Sequence, residues 1–180
     1  MKPALIYYVA ASLDGYIARP DGSVDWLEPI EASGIDHGYE DFYRGIDGLL
    51  MGRATYDMLC SFGIGWPYPG KPCRVLARNP LETPAAEVKG LHCTPAEALD
   101  ELAALGCHRV WLVGGGSLAG NCLAAGLLGE VVVSVIPHLL GAGIPLFASG
   151  LEQRLQLCEH KAFATGVTQL RYRIETPGTD

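Results

Sequence analysis

Apolar positions along the chain gather into short runs of two kinds. Residues 4–11, 46–51, 73–77, 109–113 and 131–139 are nearly continuous stretches rich in Leu, Ile and Val, as strands buried on both faces are. Residues 88–93 make a shorter strand of the same kind. Between these runs the period changes. Tyr39, Phe42, Tyr43 and Ile46 keep the i, i+3, i+4, i+7 spacing of one helical face, so 36–45 reads as a helix with Asp36 able to cap its start. A second helix begins at 52–60. A third, at 95–105, has Thr94 as N-cap, Pro95 at its first position and Glu97 completing a capping box. Leu99, Leu102 and Ala103 form its inner face and Gly106 ends it. A fourth runs over 117–125 and closes at Gly126. Segments 12–25, 61–72 and 141–145 are rich in Gly and Pro and read as loops. Near the C-terminus 154–162 and 167–174 flank a turn. In the second arm Thr168, Leu170, Tyr172 and Ile174 alternate with Gln169, Arg171 and Arg173, the pattern of a half-buried antiparallel strand.

Strands alternating with helices and then a hairpin define an α/β fold: a mixed, mostly parallel sheet flanked by helices, with an antiparallel C-terminal hairpin. Residues 1–180 are expected to form one domain, since a chain of this size rarely needs two cores. Composition agrees with a packed core: 49% of residues are apolar and 18% charged. Thirteen Lys and Arg against twenty Asp and Glu leave a net charge of −7. No broad basic face follows, so nucleic acid is not expected as a partner. The first apolar run is too short to span a bilayer and lacks the layout of a signal peptide. A cytoplasmic protein without a membrane partner is expected. None of the six cysteines has Cys-x-x-Cys spacing and the five histidines form no His-x-x-x-His pair. Reduced thiols and no metal site are the reading.

Candidate chemistry sits where strands run into helices. Gly114-Gly115-Gly116-Ser117 joins the 109–113 strand to the next helix. Glycines let a backbone approach a ligand closely, and a helix start offers free N–H groups to an anion. A tight turn that binds nothing explains that segment equally well when it is taken alone. Met51-Gly52-Arg53-Ala54-Thr55-Tyr56 repeats the arrangement, with Arg53 and Thr55 as anion ligands. Arg78, just past the third strand, is a third candidate at the same sheet edge. Two phosphate-competent junctions in one sheet suit a dinucleotide, because ligands of open α/β sheets sit at the carboxyl ends of the strands. Asp14 in Ser12-Leu13-Asp14-Gly15 is either a catalytic acid or a turn residue. Tyr16 and Trp26 are candidates to stack on a flat substrate or are ordinary packing residues.

Four segments together resemble the dihydrofolate reductase superfamily, and more closely its bacterial branch related to the reductase domain of riboflavin biosynthesis. They are Ser12-Leu13-Asp14-Gly15-Tyr16-Ile17-Ala18, Met51-Gly52-Arg53-Ala54-Thr55-Tyr56, Val113-Gly114-Gly115-Gly116-Ser117-Leu118-Ala119-Gly120, and residues 137–147 from Pro137-His138 to Leu146-Phe147. The resemblance implies a reductase that takes a hydride from NADPH and passes it to a small flat heterocycle, pterin-like or pyrimidine-like. It implies that Ala10 and Ala11 hold the nicotinamide carboxamide through their backbone. Gly52, Arg53 and Thr55 would hold phosphates, Leu76, Ala77 and Arg78 would meet the adenosine end, and Gly114, Gly115, Gly116, Ser117 and Leu118 would approach the pyrophosphate. Arg53 and Arg78 would then favour the 2′-phosphate of NADPH. Asp14 and Asp36 are the catalytic candidates, and a homodimer is expected.

The sequence also departs from its relatives. The Met/Leu-Pro-Trp loop of folate reductases is missing. In the first helix Asp36, Glu40 and Asp41 compete for the place of the single pterin-holding acid. Gly114-Gly115-Gly116 stands where the riboflavin-type reductases have Glu-Gly-Gly. Two alternatives therefore remain: the riboflavin-pathway 5-amino-6-(5-phosphoribosylamino)uracil reductase, and a non-catalytic nucleotide-binding or interaction protein on the same fold.

Overall fold

The computed structural model describes residues 2–83, 85–148, 150 and 152–175. Its main sheet contains β1 (Ala4–Ser12), β3 (Gly48–Gly52), β4 (Cys73–Leu76), β5 (Val88–Leu91), β6 (Arg109–Gly114), β7 (Leu128–Ile136), β9 (Leu155–Ala162) and β10 (Thr168–Ile174). The order across the sheet is β5-β4-β3-β6-β1-β7-β10-β9. The first six strands are parallel and the last two are antiparallel, as the alternating pattern predicts. Helices α1 (Glu28–Glu31), α2 (Tyr39–Arg44), α3 (Arg53–Ser61), α4 (Pro95–Ala104) and α5 (Gly116–Ala124) complete the main elements. Among the described residues no helix is long and apolar enough to cross a membrane.

Two cores cover the two sheet faces, and strand alternation divides the residues between them. Leu5, Tyr7, Leu50 and Leu112 pack with Leu99 and Leu102 of α4 and Leu118 of α5. Ile6, Leu49, Met51 and Trp111 pack with Tyr56 and Leu59 of α3. The aromatic face of α2 joins the second core, where Phe42 stacks on Tyr8 at 4.0 Å and meets Trp111 edge-on at 5.5 Å.

Helix α4 follows its local code. The Glu97 N–H donates to Thr94 Oγ1 (3.3 Å), and the Thr94 N–H donates back to Glu97 Oε2 (2.8 Å). Gly106, just beyond the helix, takes φ 87°. Its buried face is Ala98, Leu99 and Leu102. Ala103, expected in that face, is only half-buried.

Other boundaries shift for identifiable reasons. Strand β7 spans Leu128–Ile136 rather than 131–139, because Pro137 has no N–H to continue a ladder. The first expected helix is α2, which starts at Tyr39 with Gly38 as N-cap at φ 81°. Asp36 is therefore not the N-cap residue. Its carboxylate nevertheless accepts the Glu40 N–H at 3.0 Å.

The expected 12–25 loop contains β2 (Tyr16–Ala18), which pairs with β8 (Ile144–Pro145) from the expected 141–145 loop. A 3-10 turn over Asp25–Leu27 then leads into α1. Strand β9 closes the sheet as an edge, and all eight of its residues are exposed. The six cysteines are free thiols. Burial pushes the Cys73 and Cys122 thiols up to about 12.

Candidate active site

A cleft of about 1900 Å³ opens at the carboxyl ends of the parallel strands. Ala10 of β1, Gly52 of β3, Leu76 of β4, Leu91 of β5 and Gly114 of β6 all reach its wall. The strand-to-helix junctions explain why. Gly52 is the N-cap of α3 and Gly115 that of α5, both extended and neither making a side-chain cap bond. Neither helix has an acidic residue in its first turn. Helix α4, by contrast, satisfies its own start with Thr94 and Glu97. The first N–H groups and positive dipole ends of α3 and α5 are thus left for a ligand of the cleft.

Glycine keeps this floor bare. A Cβ on Gly114 would stand 3.2 Å from Thr55 Oγ1, and one on Gly115 would stand 3.6 Å from the same oxygen. A Cβ on Gly52 would lie 3.9 Å from the Gly114 carbonyl oxygen. Gly114 has φ 155°, and the Gly114–Gly115 peptide is cis. Gly116 has a different constraint, since its Cβ would run into the Pro145 carbonyl oxygen. That contact holds the start of α5 against the β8 segment, whose Ala148 N–H donates to Gly116 O at 3.2 Å.

Eleven residues expected at a cofactor line the cleft together: Ala10, Gly52, Arg53, Thr55, Leu76, Arg78, Gly114, Gly115, Gly116, Ser117 and Leu118. Ala77 joins them. Ala11 does not. It is 2% exposed and faces Val135 across the sheet. Arg53 Nε donates to both carboxylate oxygens of Asp57, at 2.7 and 2.9 Å. Arg78 is exposed and makes no ion pair among the described residues.

The four catalytic and substrate candidates lie outside the cleft lining. Asp14 ties two loops together. Ser12 Oγ donates to its Oδ1 at 2.6 Å, as does the Leu140 N–H at 3.1 Å, and the Gly141 N–H donates to its Oδ2 at 2.7 Å. These bonds, the serine's foremost, hold the carboxyl down to about 2. It is ionised at neutral pH and has no proton to give. Asp36 sits at the start of α2. Trp26 is 4% exposed, packed with Ile136 and Val167 and tilted against His138 at 6.0 Å. Tyr16 packs against Gly143, whose Cβ would stand 3.0 Å from the Tyr16 Cβ.

Sequence reasoning missed the cleft's other half. Tyr8, Tyr39, Tyr68 and Trp111 make an aromatic wall. Trp111 meets Tyr8 edge-on at 6.0 Å and Tyr68 at 5.2 Å, and its Nε1–H donates to Tyr8 O at 2.9 Å. Burial raises the Tyr8 and Tyr68 phenols, and lifts Tyr39 to about 12. These hydroxyls stay protonated at neutral pH. The lining also carries Asp21, Asp25, Glu28 and Glu31, from the segment that runs into α1. The Ser23 N–H lowers the Asp21 carboxyl and the Arg19 guanidinium lowers that of Asp25. Each of these residues has an ordinary surface or core explanation in sequence, and only the fold brings them to one cleft.

A mostly parallel sheet flanked by helices, with an antiparallel pair at one edge, is the dihydrofolate-reductase-like architecture. The family model of the RibD C-terminal domain matches residues 71–169, and the chain belongs to that family. It is 35% identical to the uncharacterized protein YwjB of Bacillus subtilis, over 96% of this chain and 98% of that protein. It is 28% identical to the riboflavin biosynthesis protein RibD of Corynebacterium ammoniagenes, over 92% of this chain but 53% of RibD. The chain thus spans about half the length of that relative. A crystal structure of a candidate riboflavin biosynthesis protein from Shewanella sp. PV-4 superposes with a TM-score of 0.84 at 32% identity, covering 96% of this chain and 99% of that one.

Proposed function

We propose that the chain is an NADPH-dependent reductase that transfers a hydride to a small flat heterocycle. The observation that carries this reading is the convergence of two uncapped helix starts on one glycine-floored cleft beside Arg53 and Arg78. The residues fit the cofactor. Bare glycine backbone at 52, 114 and 115 leaves room for a pyrophosphate, and the N–H groups opening α5 supply its hydrogen bonds. Arg53 and Thr55 take a second phosphoryl group. Arg78 stands at the end of β4, where a guanidinium matches the 2′-phosphate. When bound, NADPH supplies the hydride.

The protein's own work is then positioning. The backbone at the end of β1 orients the carboxamide, and the aromatic wall holds a flat ring against the cofactor. Asp21 and Asp25 are ionised and the wall phenols are weak acids, so water entering the open cleft supplies the proton. Family membership favours 5-amino-6-(5-phosphoribosylamino)uracil as one substrate to test, alongside pterins. The exposed edge strand β9 is the surface for self-association as a homodimer.

The test is to incubate purified protein with NADPH and a panel of pyrimidines and pterins while following nicotinamide absorbance. Acceptor-dependent oxidation is expected. Tight NADPH binding with no acceptor reduced across the panel would favour the non-catalytic nucleotide-binding alternative.

A further inference from the structure

The cleft's cations gather at one end, where Asp57 also lines the wall and pairs with Arg53. All thirteen Lys and Arg residues fall among those whose placement is described. Only Arg53 and Arg78 line the cleft, and both stand at the β3 and β4 ends. The reductase reading already assigns these two to NADPH, with the open helix starts of α3 and α5 taking its pyrophosphate.

The other half, from residue 17 to α1 and across to Tyr39, is lined by aromatic and apolar groups and by four carboxylates: Asp21, Asp25, Glu28 and Glu31. The nearest cation in sequence is Arg19, between the lining residues Ala18 and Pro20. Its Nε donates to Asp25 Oδ1 at 2.6 Å, so it is neutralised within the rim. A phosphate entering this half would find no free cation and several like charges, an arrangement that rejects a ligand instead of holding it.

Resting on the reductase reading, we infer that this cleft takes a flat heterocycle carrying no phosphate, uncharged or cationic, and discriminates against the phosphoribosyl form. The aromatic wall recognises the ring, and the carboxylate rim selects by charge. The acceptor is therefore a nucleoside-like or pterin-like compound whose phosphate was never added or has been removed by a phosphatase-type reaction.

The test uses two matched pairs, a 5-amino-6-ribosylaminouracil and a dihydroneopterin, each with and without its terminal phosphate. NADPH binding is measured first in the same sample, and its loss would sink the reductase reading itself. With NADPH saturating, calorimetry should show at least tenfold tighter binding of the unphosphorylated member of a pair. Equal or tighter binding of the phosphorylated members would overturn the inference while leaving the reductase reading intact, as would failure of all four compounds to bind. Glu28→Lys places a cation in the rim and should narrow the discrimination severalfold. An unchanged ratio would contradict the charge argument.

Discussion

Arg53 is the most informative side chain to remove. At rest its Nε lies 2.7 and 2.9 Å from the two oxygens of Asp57. The two side chains are 45% and 53% exposed, and exposed pairs of this kind contribute at most about 1 kcal/mol. A charge-assisted bond to a phosphate is worth about 1.5–3 kcal/mol. Turning Arg53 from Asp57 to the cofactor therefore leaves a net gain of about 0.5–2 kcal/mol, which corresponds to roughly two- to thirtyfold in affinity. Arg53→Ala should raise the NADPH dissociation constant by that factor, with little change in thermal midpoint. Asp57→Asn removes both the competitor for Arg53 and a like charge beside the phosphates, so it should tighten binding by up to about fivefold. The assay is fluorescence titration of NADPH into wild type and both variants. An Arg53→Ala constant within twofold of wild type would refute the assignment of the β3–α3 junction to phosphate.

Other expectations concern stability and the reassigned residues. Asp14→Asn should lower the urea midpoint at pH 7 yet preserve NADPH binding, because Asp14 clamps the 140–141 loop from outside the cleft. Its native carboxyl lies at about 2 against an ordinary 3.8. The stabilisation is therefore complete above about pH 4 and fades as pH falls towards 2, where the two midpoints should converge. Leu102→Ala empties a position that is fully buried between α4 and the sheet. It should cost about 2–5 kcal/mol in a denaturant titration. Gly116→Ala forces a Cβ against the Pro145 carbonyl. It should cost about 1–3 kcal/mol and weaken NADPH binding as the start of α5 shifts.

What the sequence made legible follows from how local each signal is. Helix α4 was readable because its cap, inner face and terminal glycine all lie within thirteen residues. The buried strands were readable because burial on both faces leaves an uninterrupted apolar run. The half of the cleft we propose for the cofactor was readable because its two helix junctions are contiguous strand-glycine-helix segments. Strands β2 and β8 were not. They have three and two residues, and they pair across more than a hundred positions of chain. The aromatic wall was hidden for a related reason. Tyr8, Tyr39, Tyr68 and Trp111 come from four separate segments, and each alone reads as core. The place of Asp14 was hidden too, because a carboxylate after a first strand suits a catalytic acid or, more commonly, a turn. The N–H groups that decide the matter are 126 and 127 residues away.

In the function proposed for it, this cleft holds NADPH through Arg53, Arg78 and the two open helix starts. The most direct measurement is a parallel titration of the purified protein with NADPH and NADH, followed by nicotinamide fluorescence. Saturable binding of both is expected, with NADPH tighter by at least about tenfold because of its 2′-phosphate. Equal affinities, or no binding of either nucleotide, would contradict it.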